Sequence, residues 1–89
     1  MPTVSVPTPL RSQTGGLDRL ELTGATVGEV LQDLAAKYPD LAGKIMEEGQ
    51  VRRFVNLFLN DEDVRFLDEL ATPVAERDEI AIIPAIAGG

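Results

Sequence analysis

The 89-residue chain contains no cysteine and no histidine. Without cysteine there is no disulfide framework, no thiol nucleophile and no thiolate metal site. Without histidine, the side chain that most often serves as general base near neutral pH is missing, and serine triads of the usual kind are excluded. Basic residues are also scarce. Eight Lys and Arg face fifteen Asp and Glu, for a net charge of −7. That balance argues against unaided nucleic-acid binding, which needs a positive footprint, and against docking on an anionic membrane. Long apolar runs are absent as well. The longest, Ile80 to Ala87 around Pro84, is far shorter than the ~18 residues of a membrane span. The first residues lack the basic and apolar regions of a signal peptide. These features read as a cytoplasmic protein, and as a binding or carrier domain rather than an enzyme.

At 44% hydrophobic and 26% charged, the composition is that of a globular domain. One domain over 1–89 is expected. So short a chain buries roughly 60–65% of its unfolded surface and has little stability to spare for a large cavity.

Val4-Ser5-Val6 begins a short strand. Pro2, Pro7 and Pro9 lack donors and favour an edge or irregular strand. Leu17 to Leu22 reads as a second strand, with Leu20 and Leu22 on one face. The Thr14-Gly15-Gly16 turn between them makes the pair a hairpin. The clearest element is a helix from about Val27 to Tyr38. Thr26 is its N-cap candidate and Glu29 completes a capping box. Val27, Val30, Leu31, Leu34, Ala35 and Tyr38 fall on one helical face. Pro39 helps end it. Asp40 is expected to cap a short second helix through Ile45 and Met46, closed by Gly49.

Phe54 to Asn60 alternates as a strand, with Val55, Leu57 and Leu59 on one face. A polar turn at 60–63 leads to Val64-Arg65-Phe66 as a short return strand. Leu70 to Val74 reads as a loop with one apolar anchor. Ile80 to Ile83 is β-branched and so a last, central strand. Two strands, a helix and then more strands define an α+β chain. The expected layout is a β-grasp, or ubiquitin-like, fold: a small mixed sheet on one main helix.

The chain continues Ile83-Pro84-Ala85-Ile86-Ala87-Gly88-Gly89. Pro84 cannot donate to a ladder, so the strand should stop there. Residues 85–89 then project as a flexible tail with a reach of roughly 17 Å. Gly88 and Gly89, with Ala87, Ile86 and Ala85 behind them, can enter a narrow channel in a partner. The tip carries an α-carboxylate. A partner using ATP can adenylate it, and sulfur can then displace AMP to leave a thiocarboxylate. This chemistry asks no base or nucleophile of the carrier. A frayed, inert terminus is the alternative.

Several stretches resemble the MoaD/ThiS family of ubiquitin-like sulfur carriers, and the likeness covers nearly the whole chain. It is carried by Leu10-Arg11 with Thr14-Gly15-Gly16, by Ala25 to Leu31 at the helix start, and by Asp78-Glu79-Ile80 leading to the Gly88-Gly89 end. Arg53-Phe54-Val55-Asn56, Asn60 to Phe66 and Pro84-Ala85-Ile86-Ala87-Gly88-Gly89 are most similar to the cysteine-forming, CysO-type branch. Molybdopterin-type carriers usually have Pro-Pro where this chain has Pro84-Ala85. The family often has glycine where this chain has Arg77, which puts a positive-φ turn there in doubt.

The resemblance implies a protein that is not itself an enzyme and binds no cofactor or metal. Gly89 would be adenylated by an E1-like enzyme of the MoeB type that uses ATP, then converted to a thiocarboxylate. A PLP-dependent cysteine synthase would use the sulfur, and a zinc metallopeptidase would release cysteine. Related carriers serve molybdopterin synthase, as its small subunit, or thiamin and natural-product biosynthesis. A ubiquitin-like modifier joined to lysines is the rival class, and Lys37 and Lys44 are this chain's only lysines.

Phe54 and Phe58 fall on the strand face opposite Val55, Leu57 and Leu59. Phe58 and Ile83 are candidates for a docking patch beside the tail. Alternatively the aromatics pack beneath the segment after Asp63. Arg65, with Arg11 and Arg52, can pair with an enzyme rim, although exposed pairs are individually weak. Glu47-Glu48 and Asp61-Glu62-Asp63 read as solvated turns. The latter lacks the glycine and distal glutamate of an EF-hand loop.

Overall fold

The computed structural model describes residues 1–52 and 55–84. Strand β1 (Thr3–Ser5) and strand β2 (Arg19–Glu21) pair antiparallel, with Val4 opposite Leu20. They form the expected pair, but the connection is not a simple Gly-Gly turn. A 3-10 helix occupies Thr8–Thr14, with proline near its start. Gly15 and Gly16, at φ of 69° and 95°, then reverse the chain, a conformation glycine adopts without steric cost. The Thr14 hydroxyl donates to the Leu17 carbonyl at 2.8 Å and closes the loop.

Helix α1 (Val27–Lys37) starts and ends where its sequence dictates. Thr26 is extended, and its hydroxyl accepts from the Glu29 N–H. The Glu29 carboxylate reaches back to the Ala25 N–H at 2.9 Å, one residue earlier than in a standard capping box. Val27, Val30, Leu31 and Leu34 are buried, while Ala35, expected on the same face, is exposed. Tyr38 ends α1 and precedes Pro39, which opens helix α2 (Pro39–Ile45). Asp40 lies in the first turn of α2 and does not cap it.

Gly49 does not close that helix either. It sits with Glu48 in the tight turn of a small hairpin, β3 (Met46–Glu47) and β4 (Gln50–Val51). Both turn residues have positive φ, 52° and 79°, as a two-residue hairpin of this twist requires. Local periodicity carried no sign of so short a pair.

Strand β5 (Val55–Leu59) turns at Asn60-Asp61, φ 48° and 74°, into β6 (Glu62–Asp63). The expected return strand at 64–66 is a 3-10 helix instead. Its cause is Asp63, whose carboxylate accepts from the Arg65 N–H and so favours a turn over a ladder. A second 3-10 turn at Glu69–Ala71 follows. The apolar anchor of this loop is Val74, and Thr72, two residues before it, is buried as well. Val27 N–H donates to Thr72 C=O, and Val74 N–H to Ala25 C=O, which ties this loop to the start of α1.

Strand β7 (Glu79–Pro84) completes a five-stranded mixed sheet in the order β2-β1-β7-β5-β6. It runs parallel to β1 and antiparallel to β5, so it is central as expected. Val4, Leu20, Leu57, Ile80 and Ile82 from the sheet join Val30, Leu31, Leu34, Leu41 and Ile45 from the helices in one core. The sheet thus packs on the expected main helix α1, with Leu41 and Ile45 of the short α2 completing the core. Burying these side chains on a single face dictates the strict inward–outward alternation along β5 and β7. Arg77 is not among the residues with positive φ, so replacing the family's usual glycine leaves this turn unstrained.

Candidate functional site

The site is the place where β7 delivers the chain end. Ile80 and Ile82 point inward and are buried, Ala81 is half-buried, and Ile83 is 44% exposed. Pro84 is the last described residue of the strand and stands opposite Val55. Having no N–H, it gives the ladder no donor at this position. The predicted tail residues Ala85, Ile86, Ala87, Gly88 and Gly89 lie outside the described residues, as does Phe54.

The three docking candidates come together on the outer sheet face. Phe58 stands opposite Ala81 and Asn56 opposite Ile83, so Phe58 and Ile83 are diagonal neighbours. Side chains on one face at this spacing interact directly. Phe58 is half-buried rather than fully outward. Arg65 Nη2 donates to the side-chain oxygen Oδ1 of Asn56, which places a guanidinium beside the strand position that faces Ile83.

Asp63 holds Arg65 in place. Arg65 Nη2 lies 3.1 Å from Asp63 Oδ2, and Nε lies 3.3 Å from Oδ1. This fork keeps the Asp63 carboxyl below the ordinary carboxylate value, chiefly through the hydrogen bond from the Arg65 side chain, and raises the Arg65 guanidinium in turn. The linkage of Asn56 to Arg65 was not foreseen, because nothing local to either residue signals it. The acidic cap at Asp63 was the available clue.

At its start β7 is anchored by a second polar cluster. Asn60 Nδ2 donates to Asp78 Oδ1 at 2.9 Å, and the Glu79 N–H donates to Asn60 Oδ1 at 3.0 Å. Asp78 Oδ2 accepts from the Ala75 N–H, which with the Asn60 bond lowers the Asp78 carboxyl. Arg19 and Glu79 pair at 3.3 Å across exposed surface, a contact worth little by itself.

The other flagged arginines serve the body. Arg11 donates to the Val6 carbonyl. Arg52 pairs with Glu47 and donates to the Gly43 carbonyl. A cleft of about 320 Å³ lies off the core-facing side of β5, lined by Val51, Arg52, Val55, Leu57, Val64 and Leu70 among others. Among the described residues, no three Asp or Glu side chains gather in a way that could hold a metal ion. No helix among them is long and apolar enough to cross a membrane.

The sequence and the β-grasp body are shared with known proteins. The sequence model of the ThiS family matches residues 4–89. Sulfur carrier protein CysO of Mycobacterium tuberculosis is 47% identical over 90 residues, covering 98% of this chain and 97% of that protein. A chain in the crystal structure of the Amycolatopsis orientalis BexX/CysO complex superposes with a TM-score of 0.92. It is 42% identical, and each chain is covered completely. Small archaeal modifier protein 3 of Haloferax volcanii is 43% identical over 65 residues, or 73% of this chain and 71% of that one.

The chain belongs to the ThiS family of ubiquitin-like β-grasp proteins. Within that family it is a sulfur carrier that works with partner enzymes and is not itself an enzyme.

Proposed function

We propose that the carboxylate of Gly89 is the cargo site. A MoeB-type partner transfers AMP from ATP to the carboxylate with loss of pyrophosphate. Sulfide (HS⁻) delivered by that partner then attacks the acyl carbon, AMP leaves, and loss of the sulfur-bound proton gives the thiocarboxylate. The acceptor in this reading is an activated serine held by a PLP-dependent cysteine synthase, with a zinc metallopeptidase releasing cysteine and restoring the Gly88-Gly89 end. ATP belongs to the partner's site, and the carrier binds no cofactor. The setting is the cytoplasm.

The observation that carries this reading is the near full-length likeness to CysO at 47% identity. The strand arrangement supports it, because β7 pairs with β1 over Glu79–Ala81 and with β5 as far as Pro84. Residues 85–89 therefore start from a fixed origin. Ala85 to Gly89 would thread the partner's channel while Phe58, Ile83 and Arg65 rest on its rim. The test is the intact mass of the protein after incubation with the host's activating enzyme, ATP and a sulfur donor. Replacement of one terminal oxygen by sulfur is expected, and Gly88→Trp or loss of Gly89 should abolish it with the fold intact. Neither acyl-adenylate nor thiocarboxylate from the unaltered protein would overturn the proposal.

A second reading rests on the likeness to small archaeal modifier protein 3. In it, activated Gly89 forms isopeptide bonds with lysines of other proteins. Lysines carrying a branch of residues 78–89, the piece that follows Arg77, after tryptic digestion of host extracts would support it. Their absence, with thiocarboxylate present, would leave the carrier alone.

A further inference from the structure

Phe66 is 85% exposed and is followed by Leu67, which is 36% exposed. A phenylalanine left in water gives up most of the free energy its burial would supply. The backbone that carries it is held by local hydrogen bonds. Its 3-10 helix is capped at the start by Asp63 and anchored by buried Val64. Leu67 N–H donates to Val64 C=O, and the Asp68 N–H donates to the hydroxyl of buried Thr72. Arg65, the residue before Phe66, is fixed by Asp63 and Asn56. An apolar projection on a held backbone loses little backbone entropy when a partner covers it.

Charge surrounds it unevenly. Residues 61–69 hold five carboxylates, at 61, 62, 63, 68 and 69, against the single Arg65. More than half of the chain's net charge of −7 sits in this tenth of the sequence. The segment also connects to the tail root, since Arg65 bonds Asn56 and Asn56 faces Ile83, the neighbour of Pro84.

We propose that Phe66 and Leu67 form a second anchor, distinct from the Phe58–Ile83 face. Its occupant is an apolar pocket edged with lysine and arginine on the enzyme that loads the tail. The chemistry of loading favours that enzyme. A sulfur-accepting enzyme can recognise the thiocarboxylate itself, which few chains carry. The loading enzyme meets an ordinary carboxylate, which every protein has, so it must take its discrimination from the body. An anchor away from the tail also fixes the direction in which the tail leaves. The acidic segment 61–69 steers encounter with a basic rim.

This inference rests on the carrier reading, and the experiment separates the two. Thiocarboxylate formation by the host's activating enzyme is followed by mass while the carrier concentration is varied. Phe66→Ser should raise KM for the carrier about tenfold or more, as loss of an interface anchor does, with kcat and thermal stability unchanged. Phe66→Leu should recover most of the loss. Glu62→Gln with Asp68→Asn should weaken the dependence of kcat/KM on salt. Equal KM for Phe66→Ser and the unaltered protein overturns the anchor and leaves the carrier reading standing. No product from the unaltered protein overturns both.

Discussion

Ile82 and Ile83 are chemically identical neighbours on the strand that leads to the tail, and the sheet assigns them opposite tasks. Ile82 is 2% exposed and faces Leu57 within the core, while Ile83 is 44% exposed on the outer face. Ile82→Ala removes three buried carbons from a packed site. Such truncations cost about 2–5 kcal/mol, from lost transfer free energy and the cavity left behind. A chain of 89 residues has a total stability of roughly 4–13 kcal/mol. The change therefore removes a large part of it, and the melting temperature should fall by about 10 °C or more. Ile83→Ala removes the same atoms from a half-wet position. Its cost should stay within about 1 kcal/mol, most of it lost β-propensity. Its effect should appear instead as weaker loading by the activating enzyme.

Thermal unfolding by circular dichroism reads the first difference, and the rate of thiocarboxylate formation at limiting carrier reads the second. Equal thermal shifts for the two variants would refute the assigned register. A fully folded Ile83→Ala protein that loads at the normal rate would remove Ile83 from the docking face.

Two further outcomes test the body that presents the tail. Gly24 has φ near 155°, and a Cβ there would meet Val30 N at 2.6 Å and Glu29 C at 2.9 Å, so Gly24→Ala should lose at least about 2 kcal/mol in urea unfolding. Asp33, Asp63 and Asp78 all have carboxyls lowered by hydrogen bonds to their charged forms. Their contribution is present above the unfolded value near ~3.9 and fades as pH falls through the lower folded values. Asp78→Asn should therefore lower stability at neutral pH and flatten its decline on acidification below pH ~4, as read by unfolding at a series of pH values.

The loss of histidine and cysteine chemistry follows from composition, and the helix from Thr26 to Tyr38 follows from spacing and capping that involve only near neighbours. The alternation at 55–59 likewise gave the inward face of β5, because period-two burial is written residue by residue, and the β-branched run at 80–83 gave a central strand without its inward face. The short hairpin at 46–51 was not legible. Its strands are two residues each, and its turn depends on a positive φ at Glu48 as much as at Gly49. The segment 64–66 was misread as a strand, since Val, Arg and Phe suit a ladder and only the carboxylate of Asp63 tips the backbone into a helical turn.

By itself, then, the sequence determined a small acidic β-grasp body without thiol or imidazole chemistry, whose reactive group need not be a side chain. Tertiary structure decided the surfaces. Pairing β7 between β1 and β5 set Ile83 beside Phe58 and brought Arg65 to Asn56 across nine residues of chain. It also left Phe66 in water while burying Val64 two residues away. Those outcomes depend on register and on contacts between distant segments, which no local pattern encodes.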